Sequence, residues 1–219
     1  ALEGVGQIKI NSLFSHLAAS EDLNEKDFTI SQIGQFEKIS SAVISGLNNI
    51  PRRHMLNTSG IINYPEAQYD MVRSGIGLYG YGNEAAEDEK LIPVATLKTI
   101  ISQIHKIEPN VSVGYNRAFV SDTSMVTATL PLGHADGIGR QYGNRKGHVT
   151  VNGALAPIIG NVCMDMIMID VTGIDCMEGD EVIIFGKEHS AEVLASSAKT
   201  ISYELLTGIS QRVKRAYVE

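Results

Sequence analysis

Residues 79–90, YGYGNEAAEDEK, decide how this chain is read, because two glycines there run into a burst of acidic residues. Glycines and clustered polar residues punctuate a chain, and the hydrophobic pattern changes across this one. Upstream, SLFSHLA reads as a strand end. Phe28, Ile33, Phe36, Ile39, Val43 and Leu47 then recur near helical spacing, and HMLNTSG and MVRSGIGLYG follow as strand-to-loop segments. That is a βα alternation. Downstream, PVATLKTIISQIHKI, SMVTATLPL, HVTVNGALAPII, MIMIDV and DEVIIF read as strands separated by Gly, Asp and Asn turns. Asn152-Gly153 between two apolar alternations marks a tight hairpin, since a type I′ turn needs positive φ at both positions. Ser190 is placed to cap one short helix over AEVLASSA, and a second is expected around residues 203–207. The expected organisation is an α/β part over residues 1–85 and an all-β, antiparallel part over residues 86–219.

Composition bounds the function classes. With 43% hydrophobic and 20% charged residues among 219, the chain suits a globular fold with a real core. No apolar run approaches the roughly 20 residues of a membrane-spanning helix. A net charge of −7 argues against a nucleic-acid partner, which would call for a basic patch. Two cysteines, Cys163 and Cys176, are too few for a disulfide framework, and no signal-peptide pattern opens the sequence, so a cytoplasmic location is expected.

Several residues invite a chemical reading, each with a plainer one beside it. Gly75, Gly77 and Gly80 fit G-x-G-x-x-G, yet an acidic linker and strands follow them where a dinucleotide fold needs a helix. The same glycines suit a phosphate, because the amides of Gly75 and Ile76 can approach an anion where no Cβ intervenes. Thr58, beside Asn57, can donate a hydroxyl to such an anion or simply cap the turn before Gly60. Arg73 is either a surface ion-pair partner of Asp70 or a donor aimed at a ligand. Tyr115 after a glycine and a lone His16 are, taken singly, packed or surface residues. Cys163 with His134 and Asp136 could suggest zinc, but no C-x-x-C or H-x-x-x-H accompanies them, so no metal is expected.

Taken in order, His16 in SLFSHLAAS, Asn57 and Thr58 in RHMLNTSG, Arg73 in DMVRSGIGLYG, Tyr115 in SVGYNRAF, Met164 in GNVCMDM and Tyr203 in TISYELLTGIS resemble the alanine racemase family. These enzymes use pyridoxal 5'-phosphate (PLP) on a fold-type III barrel. The resemblance runs from about Ser12 to Val213 and is densest over residues 67–80 and 157–171. It implies C-terminal units of a (β/α)₈ barrel followed by an antiparallel β domain. Such a barrel takes about 250 residues, so the first 80 or so would hold three or four of its eight units.

The resemblance also implies roles. Asn57, Thr58, Gly75, Ile76 and Tyr203 would serve the cofactor phosphate, with Thr58 standing where the family has Ser. Arg73 would face the pyridine nitrogen; unlike a carboxylate, it cannot accept a proton and so leaves that nitrogen neutral. Tyr115 would be the acid/base for one face of the substrate, linked to His16 and Arg73, and would act in the partner's site of a homodimer. Met164 would offer its backbone amide to the substrate carboxylate, and His134 stands where the family usually has a Tyr at the entrance. The implied activity is interconversion of L- and D-alanine for peptidoglycan synthesis. The family's cofactor lysine, in a segment ending Tyr-Gly-His, has no match here, so the chain by itself is expected to be inactive. It would be a fragment, the product of a split gene, or part of a fusion behind a D-alanyl-D-alanine-adding ligase. Two other functions stay open: a catalytically silent dimerisation or scaffold module, and a racemase for serine or another small amino acid.

Overall fold

The structure is a computed structural model that describes residues 8–218, apart from the side chain of Ala85. Residues 1–7 and 219, the outer ends of the two expected domains, lie outside it. The chain divides into two compact units, Ala1–Ile92 and Pro93–Glu219.

In the first unit β1 (Ser12–Phe14), α1 (Lys26–Ser45) and β2 (Arg52–His54) form a β-α-β crossover, and the two strands pair in parallel with Phe14 opposite His54. This is the connectivity of a (β/α)₈ barrel. Helix α1 forms where the helical spacing places it and stops at Gly46, whose amide donates to Val43 O. Its buried face, however, is Thr29, Phe36 and Ser40, with Ile33 packed partly against the core. Phe28 and Ile39 are 50% and 61% exposed, so only part of the predicted apolar stripe is core. The core itself gathers Leu17, Phe36, Met55, Leu56, Tyr64 and Ala67. After β2 come the short helices α2 (Thr58–Asn63) and α3 (Ala85–Asp88). MVRSGIGLYG forms no regular strand; Arg73 N donates to Leu56 O, and residues Ile76–Tyr79 make a 3₁₀ turn.

The second unit is built on β3 (Leu97–Ile100), β4 (Gln103–Ile107), β5 (Ser112–Val113), β6 (Phe119–Val120), β7 (Met125–Leu130), β8 (His148–Val151), β9 (Ala154–Ile159), β10 (Ile167–Asp170) and β11 (Glu181–Phe185). Seven of these make one antiparallel sheet in the order β3-β11-β8-β9-β10-β7-β4. PVATLKTIISQIHKI, read as one strand, is therefore two, broken at Ile101-Ser102 and sent to opposite edges. A flat sheet of this width would hold its edges roughly 29 Å apart, at about 4.8 Å per strand gap. The link from Ile100 to Gln103 reaches at most about 11 Å. The sheet must curl. Backbone bonds at the break record it: Ile101 N donates to Asp180 O beside β11, and Ser102 N donates to Thr129 O on β7.

Period-2 alternation fills the inside of the curl, as in β10, where Ile167 and Ile169 are fully buried and Met168 and Asp170 are not. The turn between β8 and β9 has φ of 48° at Asn152 and 80° at Gly153, the values a type I′ turn demands. Helices α4 (Ala191–Ser197) and α5 (Ser202–Gly208) follow, with the Ser190 side chain accepting from Val193 N as predicted. Among the described residues no helix is long and apolar enough to cross a membrane.

Candidate active site

The parallel register of β1 and β2 delivers Ser15-His16 and Met55-Leu56-Asn57-Thr58 side by side at one strand edge. The bond from Arg73 N to Leu56 O brings Arg73 to the same edge. Four acceptors hold its guanidinium. Nη1 lies 2.7 Å from His54 Nδ1, and Nη2 donates to Ser15 O at 3.0 Å, to Met55 O at 3.1 Å and to His16 Nδ1 at 3.1 Å. The guanidinium also sits 5.7 Å over the Phe14 ring, which stacks on His54.

An arginine only donates, so each imidazole accepts at Nδ1 and carries its proton on Nε2. Burial, and then the charge of Arg73, holds the His54 pKa below the ordinary imidazole value. No carboxylate joins this set among the described residues, and Arg73 Nε has no protein acceptor there. The plainer alternative, a surface pair of Arg73 with Asp70, does not form: Asp70 accepts from Arg53 N at 2.7 Å instead. His54 was missed by the sequence reading. Its signal was a histidine closing a strand just before two apolar residues, where burial obliges a partner.

A second cluster lies next to it. Asn57, not Thr58, is the cap of α2, its Oδ1 accepting from Gly60 N. Thr58 is the first helical residue and is buried, and its Oγ1 accepts from the amides of both Gly75 and Gly77 at 3.2 Å. Two amides thus already converge on an oxygen atom, and the amide of Ile76 beside them donates to no protein group among the described residues. A Cβ on Gly77 would come within 2.8 Å of Thr58 Cγ2. The methyl that Thr carries beyond Ser therefore occupies space that only glycine leaves free. Amides, a hydroxyl and glycine access form a donor set suited to a phosphate.

In the second unit Tyr115 sits on the loop between β5 and β6, 72% exposed, where Gly114, Asn116 and Arg117 all take positive φ. Asn161 Nδ2 donates to Tyr115 O, tying this loop to the segment that carries Met164. Met164 is 59% exposed. Its segment is docked on the His134 turn: His134 N donates to Cys163 O and Ala135 N to Met164 O. Gly133 permits the approach, since a Cβ there would lie 2.4 Å from Cys163 O.

Arg212, which the sequence reading did not single out, clamps both segments. It donates from Nε and Nη2 to Asp136 at 2.7 and 3.0 Å and from Nη2 to Asp165 at 2.6 Å. Its hydrogen bond holds the Asp136 carboxyl below the usual range, with Gly133 N assisting against burial. Among the described residues no group of three His, Cys, Asp or Glu side chains is set to hold an ion. Tyr203 lies on α5, exposed, with no hydrogen-bond partner for its phenol among the described residues.

Residues 1–83 match the alanine racemase N-terminal domain and residues 94–217 the alanine racemase C-terminal domain. Alanine racemase from Clostridium novyi (strain NT) is 38% identical over 229 residues, covering 100% of this chain and 58% of that protein. Alanine racemase from Streptomyces coelicolor A3(2) superposes with a TM-score of 0.89 at 28% identity, over 98% of this chain and 57% of that one. Alanine racemase from Bartonella henselae with covalently bound pyridoxal phosphate superposes with a TM-score of 0.82 at 31% identity, over 96% and 57%. The chain thus spans less than three fifths of the length of each of these relatives. With both domain families matched in order along it, this chain belongs to the alanine racemase family.

Proposed function

We propose that the chain supplies the C-terminal share of a PLP-dependent alanine racemase: the phosphate cradle, the arginine facing the cofactor ring, and an acid/base that serves a partner subunit. The observation that carries the reading is Arg73, locked by four neutral acceptors with no carboxylate beside it among the described residues. Bound PLP supplies the electron sink that makes the Cα proton of an amino acid removable. Arg73 moderates that sink, because a permanently protonated guanidinium can donate to the ring nitrogen but cannot protonate it. His54, kept neutral by burial, fixes the guanidinium without adding charge.

Thr58 with the amides of Gly75 and Ile76 holds the phosphate, and Tyr203 adds its phenol. Asn57 holds the cap of α2 that carries Thr58. His16 keeps its Nε2 proton for donation to the oxygen of Tyr115, the group that moves the Cα proton on one face of the substrate. Tyr115 and Met164 are exposed and share one loop cluster, which supports their service in the site of a second subunit of a homodimer. The amide of Met164 there orients the substrate carboxylate. D-alanine for peptidoglycan is the product this reading assigns, and two free cysteines suit a reducing cytoplasm.

The test is Arg73→Glu in a racemase carrying this chain. A carboxylate there keeps the ring nitrogen protonated, so pyruvate formed by transamination rises relative to D-alanine formed by racemisation. An unchanged ratio of the two products removes Arg73 from the ring.

A further inference from the structure

The acidic stretch after Gly82 is not a free tether. Glu87, on α3, is 2% exposed. Its Oε2 accepts from Ser59 Oγ at 2.8 Å and from Asn83 N at 2.9 Å, and its Oε1 accepts from Asn63 Nδ2 at 2.8 Å. Asn83 Nδ2 donates in turn to Ser59 Oγ at 2.7 Å. The backbone is shaped to admit this side chain, since a Cβ on Gly82 would lie 2.3 Å from Glu87 Cβ. No Lys, Arg or His forms an ion pair with Glu87 among the described residues. A buried carboxylate without a cation is costly and persists only where donors saturate it.

Two of these three donors share α2, the third being the linker amide of Asn83. Ser59 and Asn63 stand four residues apart and so occupy one face of the helix. At its other contacts the helix is held by Ser20, whose Oγ donates to Asn57 Oδ1 and whose carbonyl accepts from Asn63 Nδ2. Six residues are too few for a helix to keep its own position in water. The placement of α2 is therefore set by this polar ring, and Thr58 opens the helix one residue before Ser59.

We infer that Glu87 is a positioning residue for the phosphate cradle, a carboxylate from the linker that fixes the short helix bearing Thr58. The inference rests on the reading of Thr58 as a phosphate ligand. It is tested on the 219-residue chain with inorganic phosphate as the probe, following the amide resonances of Gly75, Ile76 and Gly77. Hydrogen exchange at the amides of Gly60, Ile61 and Tyr64, which α2 protects, is read in the same samples.

Glu87→Gln, which keeps the volume and turns an acceptor into a donor facing donors, should speed that exchange about tenfold and weaken phosphate binding by about fivefold to tenfold. The exposed linker variant Glu84→Gln should change neither. If Glu87→Gln does not fold, Ser59→Ala removes one donor to Glu87 together with the acceptor of Asn83 Nδ2, and should give the same pattern at about twofold to threefold. Unchanged exchange, or faster exchange with unchanged phosphate affinity, overturns the positioning role. Thr58→Val separates the two ideas. If it binds phosphate as the parent does, the cradle reading falls and the positioning role with it. If it loses phosphate while Glu87→Gln does not, the positioning role alone falls.

Discussion

Thr58 and Gly77 are a coupled pair, and neither is understood alone. The hydroxyl of Thr58 faces the amides of Gly75 and Gly77, so its methyl is directed where a side chain at 77 would begin, 2.8 Å from Cγ2. Gly77→Ala should therefore cost about 1–3 kcal/mol by overpacking. Thr58→Ser in the same chain should recover most of that loss, because it deletes the clashing methyl and keeps the hydroxyl. Urea unfolding of the two single variants and the double variant measures the coupling. Additive losses would mean that the two side chains do not share this space. Arg73 belongs to the same scale: its partners His54 and His16 are 19 and 57 residues away in the chain. Nothing local to Arg73 announces them.

Between elements, the C-terminal segment after α5 does more than end the chain. Arg212 reaches Asp136, 76 residues away, and Asp165 beside Met164, so one side chain ties the His134 turn to the segment proposed to meet the substrate. Arg212→Met should lower the stability of the second unit at pH 7, only modestly because the arginine is half exposed. The pH dependence follows from Asp136. Its folded pKa is depressed chiefly by the Arg212 hydrogen bond, so its contribution is present above the unfolded value of about 3.9 and is lost as pH falls through the folded value. The stability gap between parent and variant should accordingly be full at neutral pH and narrow below about pH 4. An equal gap at both pH values would show that the clamp acts through packing and not through charge.

At the scale of the molecule, this chain covers less than three fifths of the relatives it matches. The lysines of the described part of the first unit, Lys9, Lys26, Lys38 and Lys90, are all exposed, and none lies in the ring around Arg73. The chain mixed with PLP, reduced with borohydride and dialysed should therefore show no stoichiometric adduct by intact mass and should not racemise alanine. One reduced lysine per chain together with racemisation would contradict that expectation directly.

Local pattern in the amino-acid sequence determined what depends on neighbours. The alternation in MIMIDV placed β10, Asn152-Gly153 supplied the positive φ of its turn, Ser190 supplied its own cap, and the spacing from Phe28 to Val43 placed α1. The ordered set from His16 to Tyr203 pointed to the family. Tertiary structure decided the rest. Periodicity showed that α1 was a helix but not which face would be buried, because that depends on the surface it meets. One apolar run from residue 93 to 107 became two strands, since a three-step link joins the edges of a seven-stranded sheet only if the sheet curls. Glu87 and Arg212 gave no signal of their roles, and His54 only that of a histidine closing a strand, because each is fixed by burial or by partners far along the chain. Strand and turn preferences act over a few residues. Pairing across dozens of residues is set by closure of the whole fold.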